Sequence, residues 1–524
     1  HHLSRYAPGP GRLDWATQPD PFRRFAGSPH VDLPLLAGEL SARWDELFEL
    51  DRVSGQAFDL DNLAHLFELS LGIAAWKSYG GTRWALRCNP SSGNLHPTEG
   101  YLISPDLPGL AAGVYHYQPE SHRLELRAAA RLAWSGGVVL ALTDIHWREV
   151  WKYGIRAFRY CQHDCGHALA ALSYVAAAFG WPARLLTSWG DPQVAAVTGL
   201  DRAGDFAEAE TEAPEAVIWV GHGEPPDAEA VLQGLSAAAW HGQANRLSTS
   251  HRDWPDIGKV AKASEKSVGE PAPAWGPPSL PPLAPVSQEP VSRLVRRRRS
   301  AQAFDGVSEL SAPAFFRMLD VLLPRKGQPP WSLLADRPRV HPVLFVHRVH
   351  GLSPGIYCLV RDPAALSDLT EEMRADWLWR RVPACPEHLP LYLLAPLDAR
   401  GFAATASCHQ EIAADSAFAL AMLGLFDDIG ADNPWLYRQR FWEAGILGQV
   451  LYLEAEAAGV QGTGIGCYFD DAVHQALGLE THRFQDLYHF TVGKALVDRR
   501  LVSEPPYAHL NVRRFTGSHS RTTA

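Results

Sequence analysis

Residues 164–180 (DCGHALAALSYVAAAFG) and 443–459 (EAGILGQVLYLEAEAAG) both carry apolar side chains at helical spacing and end on glycine, which predicts two long buried helices. Each is followed by a polar loop, a Gly-Leu pair (Gly199 and Leu200; Gly478 and Leu479) and a short apolar strand ending VGHG or VGKA. Upstream, RVSGQAFD at 52–59 is matched by RRSAQAFD at 298–305, and each leads into a helix-like apolar pattern. GLAAGVY at 109–115 and GLSPGIY at 351–357 both read as a turn feeding a strand. The order of elements is the same in both halves, as expected for a tandem duplication of one α+β unit. Between them EPAPAWGPPSLPPLAPVSQEP, 270–290, is too rich in proline for a helix or a central strand and reads as an extended linker. The predicted organisation is a first domain over 1–250 with an N-terminal arm, a Pro-rich linker over 251–290 and a second domain over 291–524. Such a fusion suits a unit that normally works as a symmetric dimer, so a monomer with its ligand site between the halves is expected.

The totals are compatible with this picture. A chain of 524 residues with 46% hydrophobic residues and 18 Trp can bury more than one large core. A net charge of -10 gives no basic surface for nucleic acid or an anionic membrane, and neither is expected as a partner. No apolar run approaches the roughly 20 residues of a spanning helix. The seven cysteines form no CxxC pair or even framework, and the start of the sequence carries no charged and apolar leader, so a cytoplasmic protein is expected.

Several patterns invite a functional reading and lose it on context. His163 and His167, like Cys161 and Cys165, stand four apart on one helix face, but this is also the spacing of a packed stripe, and no metal is expected. GLSPG at 351–355 lacks the strand-before, helix-after setting of a nucleophile elbow, and its counterpart has Ala111 in place of Ser353. GTGIG at 462–466 follows a helix, which excludes the dinucleotide-binding turn.

Five segments carry the remaining chemistry: RRSAQAFD (298–305), NPSSGNLHP (89–97), TGIGCYFDD (463–471), VGKALVDRR (492–500) and WKYGIRAFRY (151–160). Together they resemble the nitroreductase superfamily, and within it the SagB-type dehydrogenases that oxidise thiazolines and oxazolines in modified peptides. The resemblance implies two fused nitroreductase-like domains, each a mixed, mostly antiparallel sheet flanked by helices, and FMN as cofactor. It implies that Arg298 and Ser300 hold the flavin phosphate, with Gln302 where many members carry a cation near the ring. Pro90, Ser91, Ser92 and Asn94 would reach the flavin from the other half, with Gly93 permitting close approach. The main chain of Gly464, Ile465, Gly466 and Cys467 would face the ring. Lys494, Arg499 or Arg500 would neutralise the phosphate. Lys152 and Tyr153 would remove a substrate proton, the lysine made basic by a dry pocket or by Arg156 and Arg159.

Every part of one site is present, whereas the alternative site, around Arg52 and Ser54, meets ADRPRVHP, RLLTSW and VGHGEPPD and lacks the matching groups. One FMN per chain is therefore expected. The implied activity is dehydrogenation of a small or modified-peptide substrate. The alternatives are an NAD(P)H-dependent nitro or quinone reductase and a flavin-free scaffold.

Overall fold

The computed structural model describes residues 1–2, 5–269, 275–334 and 336–510. Residues 270–274 of the expected linker and 511–524 of the expected second domain lie outside them. The first half builds a seven-stranded antiparallel sheet in the order His30–Asp32, Arg123–Ala129, Gly113–Gln118, Thr98–Ser104, Gly137–Asp144, Ala213–Gly221, Ala183–Leu185. The second half repeats it as Arg380–Arg381, Leu391–Pro396, Gly355–Leu359, Val340–Val346, Phe418–Leu425, Phe484–Gly493, Gln461–Ile465. The orders differ only in the origin of the outermost strand, which comes from the beginning of the described chain in the first half and from within the unit in the second. The central strands Gly137–Asp144 and Phe418–Leu425 are buried along their whole length, which is why they read as continuous apolar runs instead of alternating ones.

The two predicted helices are Ala157–Ala178 and Leu436–Ala457, and they pack against each other at the centre of the molecule. Gly166 and Gly445, equivalent in the repeat, form the crossing. A methyl group on Gly166 would stand 2.3 Å from the Trp442 carbonyl oxygen, and one on Gly445 would stand 2.3 Å from the His163 carbonyl oxygen. Glycine is needed at both positions because the backbones themselves are in contact. Around this point a single apolar cluster runs through both halves, including Leu169, Leu172, Leu447 and Leu451. Crosswise ion pairs repeat the same two-fold relation: Arg159 with Asp470 at 2.9 Å and Arg438 with Asp191 at 2.7 Å.

Three features break the symmetry. The stretch 251–290 is not extended throughout: Pro255–Ala263 is a helix, begun by a proline whose missing N–H costs nothing at a first turn. The later part of the stretch is docked, with the Asp45 carboxylate accepting from the main-chain N–H groups of Val286 and Ser287 at 3.0 Å. The first half alone carries a hairpin, Ile73–Tyr79 with Thr82–Arg87, to which Val502–Glu504 from the far end of the chain adds a third strand. The corresponding stretch 321–339 contains no strand among its described residues. No helix among the described residues is long and apolar enough to cross a membrane.

Candidate functional site

A cavity of about 560 Å³ opens between the halves, within the range of small-molecule and cofactor sites. Its wall draws Pro90 to Asn94 from the first half, and Arg298, Ser300, Gln302 and Gly464 to Cys467 from the second. Thirteen cofactor positions were expected, and eleven of them meet here although they come from three distant parts of the chain.

The loop at 89–97 is held from below. Asp164, on the first crossing helix, accepts from the Ser92 N–H at 3.0 Å and from the Ser92 hydroxyl at 3.1 Å. Burial raises the Asp164 carboxyl to about 7 against the opposing pull of the Ser91 and Ser92 donors. Asn94 adopts a left-handed backbone (φ 60°), donates to the Ala85 carbonyl at 2.9 Å and meets His96 Nε2 through Oδ1 at 3.0 Å. On the facing wall Tyr452 ties two segments together: its hydroxyl meets Ser300 Oγ at 2.8 Å and accepts from the Gly464 N–H at 2.9 Å. The glycines of this strand are required by close neighbours. A Cβ at Gly464 would lie 1.9 Å from the Tyr488 hydroxyl, and one at Gly466 would lie 2.3 Å from the Tyr160 ring.

Cations gather on part of the wall. Arg298 is buried, donates to the carbonyls of Cys88 (3.2 Å) and Arg87 (3.1 Å), and lies 5.0 Å from the centre of the Tyr452 ring. Arg299 and Lys77 join it. None of the three has a carboxylate within ion-pair distance among the described residues, and burial depresses all of them, Arg299 to about 10. Arg298 is buried while Arg299 and Lys77 are half-buried, and a cluster of cations with no counter-ion favours an anion. The buried Asn89 Oδ1, on a cavity-lining residue, also has no hydrogen-bond partner among the described residues.

Two expected phosphate contacts are placed elsewhere. Lys494 and Arg499 are exposed and stand outside the wall; Leu496, Val497 and Asp498 of the same segment line it instead, and Arg500 is paired with Asp498 at 2.8 Å. Once the strand Phe484–Gly493 ends, the chain turns its apolar side chains to the mouth and its cations to solvent. Arg299 and Lys77 line the cavity where Lys494 and Arg499 were expected. Arg299 was visible within the run RRRRS but was not separable from its neighbours, and Lys77 sits on a hairpin with no repeat partner to flag it. Asp164 was hidden in a segment that read as packing.

Lys152 and Tyr153, at the end of the helix His146–Tyr153, close on the same loop. A Cβ on Gly93 would fall 2.4 Å from the Tyr153 hydroxyl and 2.9 Å from Lys152 Nζ. Tyr153 in turn packs edge-on to Tyr160 at 4.5 Å. Burial lowers the Lys152 ammonium, opposed by Glu149, and raises the Tyr153 phenol. The arginines expected to depress Lys152 are engaged elsewhere: Arg156 donates to the Tyr160 hydroxyl and Arg159 pairs with Asp470. His163 stacks on Tyr488 at 4.2 Å and His167 meets Tyr488 and Gln449, so the helix stripe is occupied by packing.

The alternative site is closed. At the two-fold equivalent place Trp435, Trp442, Lys266 and Leu186 leave a cavity of only about 20 Å³. Arg52 is exposed, 3.6 Å from Glu46, and Phe58 stacks on Trp181 at 4.2 Å just beyond it.

This architecture is the nitroreductase fold, present twice in one chain. A solved nitroreductase-named structure from Anabaena variabilis superposes with a TM-score of 0.62 over 93% of this chain and 96% of its own, at 21% identity, so the likeness in fold extends over both halves. No protein-family model matches the chain. Among curated relatives, the trifolitoxin-processing protein TfxB of Rhizobium leguminosarum is 31% identical over a stretch covering 28% of this chain and 47% of TfxB. A nitroreductase-named protein of Methanocaldococcus jannaschii is 27% identical over 23% of this chain and 64% of its own length. In both, the match spans less than two thirds of the relative.

Proposed function

We propose that the chain is an FMN-dependent oxidoreductase that dehydrogenates a small or peptide-derived substrate, in the manner of SagB-type enzymes. The observation that carries this reading is the convergence of Lys152 Nζ and the Tyr153 hydroxyl on Gly93, inside a loop facing Arg298 and the Gly464–Cys467 strand end across one cavity. The name of TfxB, a processing protein, adds support for a substrate derived from a larger precursor.

The donor set fits the cofactor. Lys77, Arg298 and Arg299 form the phosphate end, Ser91, Ser92, Asn94 and Ser300 supply small polar contacts, and the glycine-lined strand lets main chain approach the ring. FMN bound there supplies a two-electron acceptor for the substrate C–H bond. Within the protein the two residues have different tasks. Lys152, with its ammonium destabilised by burial, takes up the substrate proton, whereas Tyr153 stays a protonated phenol and orients by donating a hydrogen bond. The Ser92–Asp164 bonds keep the loop in place while Leu496 and Val497 shield the mouth. Domains at 1–250 and 291–524 joined by 251–290 form an internal dimer, so the chain is a monomer with one FMN.

Flavin released on denaturation tests the stoichiometry. Arg298→Ala and Asn94→Asp should each empty the protein although they lie in different halves, and Arg52→Ala should not. Lys152→Ala should keep its flavin but slow substrate-driven flavin reduction by about a hundredfold. A ratio near two FMN per chain, or loss of flavin on changing Arg52, overturns the assignment.

A further inference from the structure

Of the seven cysteines, two stand apart from the rest. Cys88 and Cys358 are buried thiols pushed up to about 12, and Cys161 and Cys165 are raised by burial as well. Cys467 is the reverse. It lines the cavity, and its sulfur lies within 4.8 Å of the Cys408 sulfur although the two are far apart in sequence. A hydrogen bond from Cys408, with the Arg156 guanidinium nearby, brings the Cys467 thiol down to about 7, which makes Cys467 the more acidic of the two and Cys408 its hydrogen-bond donor.

The backbone places this pair deliberately. Cys408 and His409 are consecutive non-glycine residues with left-handed φ of 55° and 59°, a conformation disfavoured for each of them and maintained here by the surrounding contacts. Two of those contacts hold the opposite loop: the Phe469 N–H donates to the Ala406 carbonyl at 2.8 Å, and Gln410 Nε2 donates to the Cys467 carbonyl at 3.2 Å. Gly466, next to Cys467, is fixed by the Tyr160 hydroxyl donating to its carbonyl at 2.6 Å. Both cysteines are half-buried, so a small molecule can reach them from outside while Cys467 faces the cavity within.

We propose that Cys408 and Cys467 form a reversible dithiol–disulfide couple that exchanges electrons with the flavin and gives it an outlet to small external disulfides. The flavin part rests on the cofactor reading above; the couple itself does not. In the oxidising direction the Cys467 thiolate attacks a small disulfide, forming a mixed disulfide and releasing one thiolate. The Cys408 sulfur, giving up its proton, then attacks the Cys467 sulfur and releases the second half as a thiol, so that two electrons and one proton pass from the pair to the small disulfide. In the reducing direction the S–S bond takes two electrons and two protons from reduced FMN, which returns to its oxidised form. Closing the bond requires the sulfurs, which lie within 4.8 Å of each other, to approach to about 2.05 Å.

Two measurements decide this. The flavin-free protein is equilibrated in glutathione/glutathione-disulfide buffers, alkylated and mapped by mass spectrometry. A cross-linked 408–467 peptide should appear with a single midpoint while the other five cysteines stay alkylated. FMN-loaded protein with the pair oxidised is then titrated anaerobically with dithionite. It should take up about four electron equivalents per FMN, and Cys408→Ser or Cys467→Ser should reduce this to about two. Alkylation of both cysteines at every buffer ratio overturns the couple. So does stoichiometric zinc that resists dialysis and is lost in both serine variants, because His1 Nε2 lies 3.3 Å from Cys467 Sγ and completes a possible ligand set. Uptake that is the same in wild type and variants overturns the exchange with flavin. Failure to bind FMN at all refutes the cofactor reading and the exchange, while the mapping result still decides the couple.

Discussion

The contact between Gly166 and Gly445 makes a quantitative prediction about how the halves are held. A methyl carbon at either position would lie 2.3 Å from a carbonyl oxygen of the other helix, where ordinary contact begins at 3.4 Å, so the helices must separate by about 1 Å. The obstructing atoms are main chain, which cannot rotate away, and this places the cost near the upper end of the roughly 1–3 kcal/mol of overpacking. Replacing glycine by alanine inside a helix returns about 1 kcal/mol. Gly166→Ala and Gly445→Ala should therefore each destabilise by about 2 kcal/mol. The double variant should cost far less than the sum, because the second methyl enters a gap the first has opened; a coupling of about 1–2 kcal/mol is expected for groups in direct contact. Urea unfolding followed by tryptophan fluorescence reads these values, and a single transition is expected because one apolar cluster runs through both halves. Additivity within about 0.5 kcal/mol, or stabilisation by either single change, would refute the tight crossing.

Asp164→Asn should flatten the pH dependence of stability. The folded carboxyl is raised to about 7, so between the unfolded value near 4 and about 7 the native state holds the extra proton, and wild-type stability falls as pH rises through that window by roughly 1 kcal/mol per unit relative to the variant. Arg438→Ala should cost about 3–5 kcal/mol because it leaves Asp191 and Glu215 buried without their cation, whereas Arg159→Ala, at a partly exposed pair, should cost no more than about 1 kcal/mol; paired chemical denaturation checks both. Gly464→Ala should lower the melting temperature, and adding Tyr488→Phe should recover part of the loss by removing the hydroxyl that stands 1.9 Å from the new methyl.

The duplicated architecture was legible because both copies carried the same punctuation: glycine-ended apolar helices, a turn before a strand, a Gly-Leu pair before the last strand. The strands themselves were less legible, since those buried on both faces show no alternation. Within the site, residues that belong to short motifs were found together, as Ser91, Asn94, Arg298 and Gly464 illustrate. Residues acting through the third dimension were not. Asp164 is one helical residue among many apolar ones until the Ser92 N–H is seen to point at it, and Lys77 lines the cavity from a hairpin that Val502–Glu504, from the far end of the described chain, extends by a strand. Lys494 and Arg499 erred in the opposite direction, since charge in the right segment does not say which way a turning chain presents it.

The pattern of what is kept twice and what is kept once has a physical basis. Gly166 and Gly445 share one crossing, and the pairs Arg159–Asp470 and Arg438–Asp191 each join the long helix of one half to the first residue of a short helix of the other. Changing the glycine crossing or the buried Arg438 pair disturbs both halves at once, whereas the partly exposed Arg159 pair is held less tightly. A ligand site has no such constraint, because a cavity contributes nothing to folding and filling it adds apolar contact. Trp442, which occupies in the second helix the place of His163 in the first, and Trp435, with Lys266 4.6 Å from the centre of its ring, fill the space that remains open on the other side. The hairpin at 73–87 and the strand at 502–504 add wall only where the cavity persists. The fused chain thus retains two-fold symmetry in its contacts and relinquishes it in its chemistry. Reopening the closed side would require removing both tryptophans and filling the space with a ligand together, since removing them alone leaves a void beside the buried Lys266.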